Sequence, residues 1–118
     1  MESVEKSIFN AAKSVFCRFG FLSTSIQTVA DLALTSKTSV HYYYRSKENL
    51  YLKVLSDVIK NCSSDDSVII WFFLVEMQTN KAMFLKTLNK IENKDWQLFI
   101  NQVIKSNISV AVDAWLNE

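Results

Sequence analysis

One glycine, Gly20, and no proline in 118 residues leave this chain almost no means of making the tight turns on which hairpins, sandwiches and barrels depend. Such turns need residues that accept a positive φ or bring a fixed one. Helices joined by short polar connectors do not, so an all-α fold follows by exclusion. A chain of this length can bury one core, or a small head plus a further helical element, but not two full-sized domains.

The apolar spacing divides the chain into helices. Val4, Ile8, Ala12, Val15, Phe16 and Phe19 recur at steps of three and four, which predicts an amphipathic helix over 4–19 with that stripe turned inward. Gly20 suits its C-terminal stop, and Phe21 is placed to touch Phe16. Thr24 and Ser25 offer hydroxyl caps to a second, short helix with Ile26, Val29, Ala30 and Ala33 on its inner side. "LTS" (34–36) breaks that pattern, and Ser36 can cap a third helix ending near Tyr44. Ser46 can cap a fourth, whose inward stripe is Leu50, Tyr51, Val54, Leu55, Val58, Ile59 and Cys62. The polar junction "SSDDS" (63–67) precedes a helix over 68–78 that is apolar nearly all round and hence buried on several sides. Turns at 79–80 and 92–95 then frame a helix over 81–91 and a last, long one over 96–116.

Charge is uneven along the chain. Residues 1–60 carry eight Lys/Arg against five Asp/Glu, and 61–118 carry five against seven. The N-terminal half is therefore the one suited to a polyanion, by a modest margin. Cys17 and Cys62 stand far apart with no histidine at metal-ligand spacing, so buried, reduced thiols are expected, with no disulfide framework, metal or other cofactor. The N-terminus has no charged-then-apolar leader, and "VIIWFFLV" (68–75) is too short to span a bilayer. A soluble, cytoplasmic protein with no membrane partner is expected.

The stretch "TSKTSVHYYYRSKENL" (35–50) holds the single histidine, three consecutive tyrosines and three cations. Two short helices around a break of a few residues make a helix-turn-helix, whose second helix enters the DNA major groove. Helical spacing puts Val40 and Tyr44 toward the core and Lys37, Thr38, His41 and Tyr42 on the opposite face. Lys37 can reach guanine O6/N7, Thr38 a base edge or a thymine methyl, and His41 or Tyr42 can pack on an edge. Arg45 and Lys47 fall at the start of the fourth helix, where free N–H groups and the helix dipole favour a phosphate. A lone helical histidine is more commonly structural, and a cationic run more commonly a solvated face. The concentration of both at two helix starts favours contact with DNA.

Residues 8–55, through the blocks "AAKSVFCRFGF", "TSIQTVADLA" and "SKTSVHYYYRSKENL", closely resemble the DNA-binding head of the TetR (tetracycline-repressor-like) transcriptional regulators. The resemblance implies a helix-turn-helix head over 1–46 and a helical dimerisation and effector part over 47–118, short for the family. It implies that Thr24, Ser25 and Gln27 approach phosphate or a base, and that Ser36, Lys37, Thr38, Ser39, His41 and Tyr42 lie on the recognition-helix contact surface. Tyr43 and Lys47 then belong on the DNA backbone, beside Arg45. The family pattern prefers glycine in the turn where this chain has Leu34, and a small residue where Thr38 stands; a tilted recognition helix would follow from the first departure.

For function these readings imply a sequence-specific DNA-binding regulator, a repressor relieved by a small apolar effector, acting as a homodimer on a double-stranded operator. Trp71, Phe72, Met77, Phe84, Trp96 and Phe99 are the candidate effector-binding residues, with plain core packing as the competing role for such side chains. The apolar last helix supplies the dimer surface. A helical protein-interaction module that has lost DNA binding is the alternative. One glycine cannot cradle a phosphate and one histidine forms no recognisable triad, so an enzyme is not expected.

Overall fold

The computed structural model describes residues 3–61 and 67–91, and of 67–71 the backbone alone. Six helices occupy them: α1 (Val4–Phe19), α2 (Ile26–Leu32), α3 (Lys37–Tyr44), α4 (Lys47–Asn61), α5 (Ser67–Thr79) and α6 (Lys81–Leu88). The expected last helix, with Trp96 and Phe99, lies outside the described residues, as does Cys62. Helix α6 ends three residues before the expected 91, its last turn closing through Lys90 N–H to Thr87 O and Ile91 N–H to Leu88 O.

The starts of α1 to α4 are set by serines whose side-chain oxygens accept otherwise orphaned N–H groups. Ser3 caps α1 through Lys6 N–H, Ser25 caps α2 through Thr28 N–H, and Ser36 caps α3 through Ser39 N–H. Ser46 does the same ahead of α4 by accepting Asn49 N–H at 3.0 Å.

Helix α1 packs against α2, α3, α4 and α5, so Ile8, Ala12, Phe16 and their neighbours lie at the centre. A single core runs from Ile8 through Phe16, Val40 and Tyr44 to Tyr51, Leu55, Phe72 and Phe84, continuous across the expected boundary at 46/47. Phe16 and Phe21 stack at 6.2 Å, and Tyr51 meets both rings, at 5.3 and 4.8 Å. The expected inward stripe of α1 is too long at both ends: Val4 and Phe19 are exposed, because the neighbouring helices do not reach that far, while Ala11 and Cys17 are buried in addition. On α2, Val29 and Ala30 are buried, whereas Ile26 and Ala33 sit at the core's margin.

The turn between α2 and α3 is a Schellman stop built on a leucine. Thr35 N–H donates to Ala30 O at 3.0 Å and Leu34 N–H to Asp31 O at 3.2 Å, with Leu34 itself at φ +58°. That position ordinarily carries glycine. Leucine thus adopts the glycine-type conformation, with its side chain 93% exposed. Left-handed backbone costs an L-residue about 1–2 kcal/mol, against about 0.4–1 kcal/mol for the extra unfolded-state freedom of glycine. Leu34→Gly is therefore expected to stabilise the fold by roughly 0.5–1 kcal/mol, read as a higher urea midpoint at unchanged slope; a lower midpoint would contradict this account of the turn.

Candidate nucleic-acid interface

Helix α3 carries the exposed polar face that the spacing implied. Val40 and Tyr44 are buried, and Lys37, Thr38, His41 and Tyr42 are exposed, Tyr42 at 66%. Tyr43 is exposed as well, its ring set edge-on to that of Tyr42 at 5.0 Å. Ser36 and Ser39 are tied to each other, since the Ser36 hydroxyl oxygen accepts Ser39 N–H at 3.1 Å and the two hydroxyls bond at 3.2 Å. At the start of α2, Ser25 is exposed and engaged in capping, and Gln27 donates its amide to Asp31 Oδ1 at 2.7 Å.

The exit of α3 is strained and well braced. Ser46 N–H donates to Tyr44 O at 2.8 Å across Arg45, which lies at φ +73°, ψ −46°: a γ-turn of the rare, positive-φ kind. Three bonds hold it. Arg45 N–H closes α3 on His41 O at 2.9 Å, Asn49 Nδ2 donates to Tyr44 O at 2.7 Å, and the Tyr44 hydroxyl donates to Glu5 O at 3.0 Å on α1. Burial, then the charge of Glu5, pushes the Tyr44 phenol above its ordinary value. The turn swings Arg45 outward beside a cleft of about 50 Å³ lined by Ile26, Val40, His41, Arg45, Ser46 and Lys47. Sequence reasoning did not single out Asn49, although an asparagine three residues after a capping serine was there to be read.

Two of the expected contact residues sit differently. Thr24 is only 2% exposed and donates its hydroxyl to Gly20 O at 2.8 Å; it pins the α1–α2 loop, and Ser25 alone is the cap, so Thr24 is withdrawn from the contact surface. Lys47 is half-buried, its ammonium 4.1 Å from the centroid of the Phe21 ring. Burial holds the Lys47 pKa below the ordinary lysine range, and Glu48 and Glu76 act in the opposite direction.

Beneath Phe21 lies a residue that the reading of the sequence did not select. Glu76 on α5 is 0% exposed, and its Oε1 accepts Phe21 N–H at 2.7 Å while Oε2 accepts Asn80 Nδ2 at 3.2 Å. The buried Tyr51 hydroxyl lies near enough to act on the carboxylate but makes no hydrogen bond. Burial raises the Glu76 pKa, against the lowering effects of Phe21 N–H, Asn80, Tyr51 and Lys47. The one visible signal was that Glu76 is the only charged residue between 67 and 80.

An acid whose folded pKa lies above its unfolded value binds its proton more readily when folded. Its contribution to stability is complete below about pH 4.5 and is lost as pH rises through the folded value, at no more than about 1.4 kcal/mol per pH unit. Urea titrations from pH 4 to 8 are expected to show that decline in the native chain and a flatter profile in Glu76→Gln. The charged neighbour Lys47 and the Tyr51 phenol are present in both proteins, so the difference isolates Glu76. Parallel profiles would contradict the assignment.

Of the candidate effector residues, Phe72, Met77 and Phe84 belong to the hydrophobic core, Phe72 and Phe84 meeting at 6.3 Å. The Trp71 side chain, Trp96 and Phe99 lie outside the described residues. Among the described residues there is no cluster of three or more metal-ligating side chains, and no helix is long and apolar enough to cross a membrane.

Residues 8–54 match the bacterial regulatory proteins of the tetR family. Over 55 residues it is 44% identical to the HTH-type transcriptional regulator RutR of Escherichia coli (strain K12), covering 47% of this chain and 26% of that protein. It is 30% identical over 54 residues to the HTH-type transcriptional regulator QacR of Staphylococcus aureus, covering 46% and 29%. It is 35% identical over 52 residues to the HTH-type transcriptional repressor NicS of Pseudomonas putida, covering 44% and 24%. The similarity thus spans about a quarter of the length of these relatives, and the family match over 8–54 takes in most of α1, the helix-turn-helix and the first half of α4.

Proposed function

We propose that this chain is a sequence-specific DNA-binding transcriptional regulator, a homodimer that reads a double-stranded operator through α3. The reading is carried by one observation: Lys37, Thr38, His41 and Tyr42 project together from a helix whose other face is anchored in the core by Val40 and Tyr44. Lys37 and Thr38 address base edges, while Arg45 and the N–H groups opening α4 address phosphate. Two such faces about 34 Å apart match one turn of duplex, which is why a dimer is required. Residues 47–118 then act as the dimerisation and effector part, and repression relieved by a small apolar effector is the regulatory mode in keeping with a relative named as a repressor. No catalytic role and no cofactor are assigned, and the protein acts in the cytoplasm.

Fluorescence anisotropy with duplex DNA across a salt series tests this. Log K is expected to fall linearly with log salt, by about 0.9 for each phosphate neutralised. Arg45→Ala is expected to reduce that slope by about one contact's worth while weakening all duplexes alike. A folded protein with no detectable binding at low salt would instead favour a helical protein-interaction module.

A further inference from the structure

Glu76 costs the fold free energy where it stands, since a fully enclosed carboxylate forfeits its hydration. Its strongest bond runs not to its own helix but to the backbone of Phe21, 55 positions away in the loop that leads into α2. Phe21 in turn presents its ring to the ammonium of Lys47 at 4.1 Å. Lys47 lines the cleft beside Arg45 at the α4 start. These contacts form one connected series from α5, through a loop, to the cationic edge of the DNA face.

We propose that Glu76 is a positioning residue for DNA binding: by fixing the Phe21 backbone it sets the ring on which Lys47 is held toward the phosphate-facing cleft. This rests on the DNA-binding reading above. The loop is shaped for the purpose, since a Cβ on Gly20 would stand 2.6 Å from Glu76 Oε1. A shift of α5, on the C-terminal side of the expected domain boundary, moves the Phe21 platform and with it Lys47. The head is thereby coupled to the rest of the chain through a charge-assisted hydrogen bond and a cation–π contact, without any change in α3.

The isotope-labelled chain and the variants Glu76→Leu, Glu76→Gln and Phe21→Leu provide the test, with a random-sequence duplex of about three helical turns at low salt as the probe. Glu76→Gln keeps an acceptor for Phe21 N–H and is expected to preserve amide protection, the ring-current-shifted Lys47 methylene signals and affinity. Glu76→Leu is expected to speed exchange of the Phe21 amide by about tenfold or more, release the Lys47 signals and weaken duplex binding by about tenfold, the loss of roughly one charge-assisted contact. Phe21→Leu retains the N–H donor but not the ring, so it should release Lys47 and weaken binding with the amide still protected; it also serves if Glu76→Leu does not fold. Lys47 signals unmoved in both apolar variants, or affinity unchanged or tighter once Lys47 is released, would overturn the proposal. Absence of duplex binding by the native chain would fall on the DNA-binding reading instead, and the Lys47 signals would still decide whether Glu76 governs that side chain.

Discussion

Gly20→Ala is expected to cost about 3 kcal/mol or more, from two separable sources. Gly20 lies at φ +82°, ψ 174°, a region that is essentially closed to residues with a side chain and costs them about 1–3 kcal/mol. The added Cβ would also stand 2.6 Å from Glu76 Oε1, so the carboxylate has to retreat and the 2.7 Å bond from Phe21 N–H is lost. Leaving a buried charged acceptor and a backbone donor without each other costs about 1–3 kcal/mol more. In a chain of this size the melting temperature should fall by about 10 °C or more. Repeating the substitution in a Glu76→Ala background separates the sources: only the backbone part should remain, so the double variant loses less than the sum of the singles. Additive losses, or a single-variant loss under about 1 kcal/mol, would mean that Gly20 does not share its space with Glu76.

The contrast between Gly20 and Glu76 shows what the sequence could disclose. A glycine after an amphipathic run is a local signal, and so are the serine caps at 25, 36 and 46; each acts within three or four residues of itself, and each was readable. The Glu76–Phe21 bond joins positions that only the packing of α5 on α1 brings together, and an isolated glutamate in an apolar helix does not name its partner. Thr24 failed for a different reason. A hydroxyl beside Ser25 satisfies the local requirement for a cap, but one helix start has one cap, and Gly20 O, four residues back in the same loop, accepts the threonine hydroxyl instead. The stripe of α1 was overextended at Val4 and Phe19 because periodicity records which residues share a face, not how far the neighbouring helices reach. At Leu34 the departure from glycine was visible, and a tilted α3 was its expected consequence. The Schellman bonds at Leu34 and Thr35 are complete, so the turn is formed and the cost falls on the leucine backbone.

Replacing Lys37, Thr38 and Tyr42 together by alanine is expected to abolish discrimination among sequences while leaving the fold and the salt-dependent background binding in place. All three side chains are exposed, and alanine is the best helix former, so the triple variant should melt within about 1 kcal/mol of the native chain. Specific sites are typically bound about 10³–10⁷ more tightly than non-specific DNA. For a duplex selected from a random pool by the native protein, affinity should therefore fall by about three orders of magnitude or more, toward the value for unselected DNA. Background binding survives because Arg45 and the α4 start supply it, and these are braced independently of the substituted face by Asn49 Nδ2 on Tyr44 O and by the Tyr44 hydroxyl on Glu5 O. The two surfaces thus fail in different ways: loss of the α3 face removes preference at constant salt slope, whereas loss of Arg45 lowers the slope at constant preference. If the triple variant still prefers the selected duplex, the bases are read by another element and α3 does not occupy the groove.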